Sequence, residues 1–184
     1  LMQAIHGTGL RWVVMLAPLG FVLFISARIH AMKASTAQTV FWVYSALMGL
    51  CLSYIFLAYT GASIARVFFI TAGTFAGMSL YGYTTKRDLS GFRSFLFMGL
   101  IGIIIASIVN IFLGSTALQF TISVIGVLVF VGLTAYDTQS IKLIYSELDS
   151  SEVAGKKAIM GALRLYLDFI NLFIMLLSLF GSRE

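Results

Sequence analysis

The chain has 184 residues, 60% hydrophobic and 10% charged, with a mean hydropathy of +1.00. A soluble domain carries about 25% charged residues, so the composition excludes a water-soluble globule and indicates a polytopic membrane protein. The net charge of +5 does not call for a nucleic-acid partner, because the basic residues are scattered over short loops between apolar runs.

Six apolar runs follow in chain order: Trp12–Ala27, Val40–Tyr59, Ala62–Tyr83, Phe95–Leu113, Leu118–Ile141 and Ala158–Gly181. A hydrocarbon core of ~30 Å needs about 20 helical residues to cross it. Lipid offers no partner to a free backbone amide, so helices are the expected form. The runs are continuous and do not alternate, which argues against a β-barrel. The expected fold is an all-α polytopic helical bundle forming a single transmembrane domain over residues 1–184. Leu1 opens the chain with no basic segment before a short apolar run, so no signal peptide is expected and residues upstream of it are.

The connections are short. Thr60–Gly61 and Gly114–Ser115 read as tight turns, and Ser146–Lys157 (SELDSSEVAGKK) as the longest loop. Asp88, in TKRDLS, is expected to cap the helix that follows. Gly73 and Gly77 have GxxxG spacing; close packing within the bundle is the expected role, and a dimer face the alternative. Tyr44, Tyr54, Tyr59, Tyr81 and Tyr83 suit the membrane interface, and Arg66 is expected to snorkel to the outer rim. Cys51 is the sole cysteine, so an intramolecular disulfide is excluded. His6 and His30 do not make a zinc site.

Lys and Arg divide unevenly. Arg28, Lys33, Lys86, Arg87, Arg93, Lys142, Lys156 and Lys157 follow the first, third and fifth runs, whereas Arg11, Arg66 and Arg183 lie at the other ends. The positive-inside rule places the first group in the cytoplasm.

Two carboxylates interrupt the apolar pattern. Asp137 lies in VGLTAYDTQSIKLI and Asp168 in ALRLYLDFINLFIMLLS. A charge at membrane depth is costly, so such groups face a bundle interior or a water-filled path and mark function. At ~1.5 Å per residue, Asp137 is ~9 Å and Asp168 ~15 Å from the cytoplasmic ends of their runs. One loop joins the two helices, so the carboxylates are expected to face each other. Thr134, Asp137 and Ser140 form one polar stripe, and Asp168 shares a face with Arg164 and Asn171. Two carboxylates held close in a dry site cannot both ionise cheaply, so they titrate as one unit and act as a proton switch. Two negative charges also attract calcium, weakly, since calcium takes about six to eight oxygen ligands. The structural alternative is that each Asp pairs with a basic residue, Arg164 with Asp168 and Arg28 with Asp137. Asn110 and Asn171 are expected to bond between helices.

Thr84–Ser90 (TTKRDLS), Gly132–Ile141 (GLTAYDTQSI) and Ala162–Gly181 (ALRLYLDFINLFIMLLSLFG) closely resemble the transmembrane Bax inhibitor motif family, in its bacterial branch, and the similarity runs through essentially the whole chain. The resemblance implies seven helices with the last one central, so that the six visible spans are the second to the seventh and the first lies upstream of Leu1. It implies a protein of the bacterial inner membrane, and a pH-sensitive calcium leak with calcium as the permeant ion and no tightly bound cofactor. The family's two-aspartate sensor maps onto Asp137 and Asp168, and the arginine that pairs with it onto Arg28. Relatives often carry Arg where Ser178 stands, and some an acidic partner near Ala17; that latch is absent from this sequence.

Three functions compete. The favoured one is a proton-gated calcium conduit that opens when the aspartate pair loses its proton. The second is an adaptor that binds membrane proteases or stress factors through Ser146–Lys157. The third is an intramembrane aspartyl protease, which shares the Tyr136–Asp137 phrase. That enzyme needs Gly-x-Gly-Asp where Leu165–Asp168 is LYLD, and a PAL phrase where the only proline is Pro18, so no catalysis is expected. The orientation is directly checkable: single cysteines placed in Ser146–Lys157 should react with an impermeant thiol reagent only after the membrane is opened from the cytoplasmic side.

Overall fold

The computed structural model describes Arg28 and residues 31–182. Among these, five helices are long and apolar enough to cross a membrane: Ala34–Ala58, Gly61–Thr84, Ser90–Leu113, Thr116–Ile144 and Ser151–Phe180. They account for the second to sixth apolar runs; the first, Trp12–Ala27, lies outside the described residues, as do His6, Arg11, Ala17, Pro18, His30 and Arg183. Among the described residues, five of the six or seven expected spans are thus present. In chain order the α-helices are α1 (Ala34–Leu52), α2 (Ile55–Ala58), α3 (Gly61–Thr84), α4 (Arg93–Leu113), α5 (Thr116–Ile144) and α6 (Ser151–Phe180), with a 3₁₀ turn at Ser90–Phe92 before α4.

The described residues fall into two compact units. The first holds Arg28, residues 31–57 and Ser146–Met160. Its α1 ends where the Ser53 and Phe56 amides donate to the Leu50 and Ser53 carbonyls, which separates α1 from the short α2. The N-cap position, Lys33, gives α1 no side-chain bond. Glu152 supplies one instead, accepting from the Ala34 amide at 2.7 Å. Gly155, one turn further along α6, keeps its backbone close to Ala34. A carboxylate at a helix N-terminus satisfies an orphan amide and opposes the positive end of the macrodipole. Here it comes from a distant segment.

This contact explains a difference from the sequence reading. The stretch Ser146–Lys157 is expected to be a loop, yet α6 starts at Ser151. Ser150 accepts from the Val153 amide, Glu152 pairs with Lys156 at 3.5 Å, and Lys157 pairs with Asp149 at 2.7 Å. Polar residues extend the helix past the apolar run, so only residues 145–150 connect the two elements.

The second unit holds residues 58–145 and 161–182. Helix α5 packs against both α3 and α4, and it meets α6 antiparallel. Ser123 contacts Ser178, Gly126 lies against Met175 and Ile141 against Gly161, so positions rise along one helix as they fall along the other. Phe68 and Phe75 of α3 meet Phe169 of α6 edge-on at 5.7 and 5.4 Å. Over their most apolar stretch α5 and α6 are each 33% buried, against 11% or 17% for the other spans. The last helix therefore shares the interior with α5.

Small residues matter where helices touch. A Cβ on Gly82 would lie 2.9 Å from the Cα and carbonyl carbon of Ala135, both backbone atoms of α5. Gly73 and Gly77 do not serve this role: a Cβ on either meets nothing within 4 Å among the described residues. Gly82→Ala should push α3 from α5 and lower stability by roughly 1–3 kcal/mol, read as a reduced thermal midpoint in detergent. An unchanged midpoint would show that the two helices can separate at no cost.

Candidate functional site

Asp137 and Asp168 meet across the α5–α6 contact, close enough for their carboxyl groups to interact directly. Asp137 is 8% exposed and Asp168 4%. The antiparallel register sets this meeting, because the Gly126–Met175 contact on one side and the Ile141–Gly161 contact on the other bracket it. Oδ2 of Asp168 is buried with no hydrogen-bond partner among the described residues. An unsatisfied buried oxygen is costly.

Arg164 is one turn before Asp168, and its charge acts on both carboxylates. Its side chain is exposed, and among the described residues neither aspartate forms an ion pair within 4.0 Å. The alternative in which Arg164 clamps Asp168 is therefore not formed among the described residues; Arg164 acts across a distance. Arg28 belongs to the first unit, with its side chain exposed.

The other residues of the expected stripes turn to their own helices. Thr134 is fully buried and its hydroxyl donates to the Phe130 carbonyl at 2.7 Å. Asn171 donates to the Leu167 carbonyl at 2.7 Å, so the expected interhelical bond from Asn171 is replaced by one within α6. Ser140 is half-buried. Short polar side chains can satisfy themselves on the preceding turn in this way, which avoids a cost in lipid.

Two polar clusters flank the pair. Toward the N-terminal end of α5, Ser123 donates to Ser178 at 3.0 Å, Gln119 donates to Ser178 at 3.4 Å, and Asn110 donates to Gln119 at 3.3 Å. Asn110 does bridge helices, as expected. Ser178 thus takes part in a neutral ladder joining α4, α5 and α6. No member of it titrates near neutral pH.

Toward the C-terminal end of α5, Gln139 clamps the segment between α3 and α4. Its Oε1 accepts from the Leu89 amide and its Nε2 donates to the Arg87 carbonyl, both at 2.8 Å. Sequence reasoning missed Gln139. The phrase YDTQS drew attention to its carboxylate, and an amide near a helix end carries no periodic signal. Asp88, expected as a helix cap, instead accepts from the Ser90 amide and hydroxyl at 2.9 and 2.8 Å. This is an Asx turn, ahead of the 3₁₀ segment. The Ser90 bonds hold the Asp88 carboxyl below the usual carboxylate range.

Residues 1–184 match the family described as inhibitor of apoptosis-promoting Bax1. The chain belongs to this family. It is 55% identical over 173 residues to the inner membrane protein YbhL of Escherichia coli strain K12, covering 93% of this chain and 74% of that protein. It is 53% identical over 177 residues to the protein RP147 of Rickettsia prowazekii, covering 96% of this chain and 75% of that one. A Deinococcus radiodurans relative is 42% identical over 181 residues, covering 98% of this chain and 78% of its own length. With its five apolar helices, this Bax inhibitor-like chain is an integral protein of the bacterial inner membrane.

The clamp gives a direct test. Gln139→Leu keeps the volume but strands the Leu89 amide, whose residue is 7% exposed, and the Arg87 carbonyl. The variant should lose about 1–3 kcal/mol and speed hydrogen exchange at Leu89. Unaltered exchange there would show that the segment is held by other means.

Proposed function

We propose that this Bax inhibitor-like protein is a pH-sensitive calcium leak, in which the Asp137–Asp168 pair is both proton sensor and gate. The observation that carries the reading is the burial of two facing carboxyl groups on adjacent helices, one with an unpartnered oxygen. With a proton shared between them, the carboxyls hold α5 and α6 together. When both ionise, they repel one another and offer oxygen ligands to a passing cation. Arg164 is a charged group that acts on both. In this reading Arg28 is the basic partner that the family resemblance assigns to the pair.

Two carboxylates suit transient passage better than storage. Among the described residues no three His, Cys, Asp or Glu side chains gather into a metal cage, and calcium held firmly takes about six to eight oxygens. The proposed cargo is therefore calcium in transit, moving passively, with protons as the regulator and the bilayer as the surroundings. No bond is made or broken, so the reading is not enzymatic.

The adaptor reading has one observation in its favour: Leu148, in the inward connection, is 96% exposed. Such an apolar side chain suits a membrane-protein partner. Replacing Leu148 with Ser should then abolish partner capture without changing ion flux.

The leak itself is tested in proteoliposomes loaded with a calcium indicator. Flux should rise from acidic to alkaline pH in the full-length protein, and the pH response should vanish in Asp137→Asn and in Asp168→Asn. Flux that climbs steadily on acidification, or none at any pH from folded protein, would refute the proposal.

A further inference from the structure

A cleft of about 370 Å³ opens where α3 ends and α5 ends, and Tyr83, Lys86, Arg87, Asp88, Gln139 and Lys142 line it. Three of these are cations and one is an anion. Asp88 offsets one of the three positive charges while both of its oxygens accept from Ser90. Among the described residues Lys86 and Arg87 have no ion pair within 4.0 Å, and both side chains are exposed. The cleft thus presents excess positive charge.

Its frame is fixed. Gln139 holds the backbone on both sides of Asp88. Lys142 donates to the Tyr83 carbonyl at 2.7 Å, at the end of α3, where helix carbonyls lack partners and the macrodipole favours a cation. The same ammonium lies 4.6 Å from the centre of the Tyr83 ring, a cation–π distance. One cation is thereby locked in place and two remain free to close on a ligand.

The setting is the membrane interface. Leu143, on the cleft wall, is 71% exposed. An apolar wall beside a basic floor matches a ligand with a charged head and an apolar tail. Lys and Arg at this end lie on the cytoplasmic side by charge bias, where anionic lipids concentrate and basic pockets between helices take their headgroups. Arg and Lys recognise phosphate through charge-assisted hydrogen bonds.

We propose that this cleft binds a phosphate-bearing anion, with Lys86 and Arg87 closing on the phosphate and Lys142 setting the floor. The site is separate from the aspartate pair and does not depend on calcium conduction. Its apolar wall favours the headgroup of an anionic lipid, and free phosphate is the other source of the same chemistry.

Native mass spectrometry and thermal shift of the full-length protein in neutral detergent test this. The probes are phosphatidylglycerol, phosphatidylcholine and inorganic phosphate. Phosphatidylglycerol should be retained and should raise the thermal midpoint, whereas phosphatidylcholine should not. Lys86→Ala with Arg87→Ala should weaken retention by roughly tenfold or more, and Lys86→Arg with Arg87→Lys should restore it. Lys156→Ala with Lys157→Ala removes the same charge elsewhere and should leave retention unchanged. Inorganic phosphate that binds and depends on Lys86 and Arg87, with no lipid retained, would keep the site and assign it to a soluble anion. Equal loss in both double-alanine variants, or no binding of either anion, would overturn the proposal.

Discussion

A bilayer core gives a carboxylate neither water nor counterion, and that constraint organises this protein around the contact between α5 and α6. The two carboxyl groups meet at that contact, where a charge is costly unless it finds a partner. The antiparallel register between Ser123–Ser178 and Ile141–Gly161 sets where they meet. Close approach along that seam depends on Gly126 and Gly161, which leave room for Met175 and Ile141. The rest of the second unit then serves to hold α5 and α6 in place, through Gly82 against Ala135 and the aromatic contacts from α3 to α6.

Helix α5 reads from its N-terminus to its C-terminus as three polar levels. The first is the neutral ladder of Gln119 and Ser123 with Ser178. Next is Asp137 facing Asp168, and last come Gln139 and Lys142, which grip the segment between α3 and α4. Only the middle level carries carboxyl groups, so a change in their proton occupancy acts at one depth, with fixed hydrogen bonds above and below it. Asp137 and Gln139 are two residues apart on one helix. Any shift of α5 at the pair is therefore felt by the Arg87 and Leu89 backbone.

Much of this was legible in the sequence because hydropathy reports the membrane directly. The third to fifth runs fall within a few residues of α3, α4 and α5, and Asp137 and Asp168 were placed opposite each other from one loop and a rise per residue. Hydropathy is blind to helix that continues into water, so Ser151–Lys157 reads as a loop although Ser150 caps a helix there and Glu152 lies in its first turn. Spacing also says which face a polar group occupies, and not whom it bonds. Thr134 and Asn171 lie on the expected faces but satisfy their own backbones. Arg164 lies one turn from Asp168 yet extends outward. The GxxxG pair at Gly73 and Gly77 pointed to close packing, whereas Gly82, with no motif, has the tighter approach. Gln139 had no signal, because an amide clamp depends on a segment 50 residues away in the chain.

The central claim is that Asp137 and Asp168 titrate as one unit. Infrared titration of their carboxyl bands in the full-length protein, with each Asp replaced in turn by Asn, tests it most directly. Coupled groups hold their protons jointly, so the account predicts that removing either carboxylate changes the titration of the one that remains. A remaining Asp that titrates as it does in the unaltered protein would contradict the account.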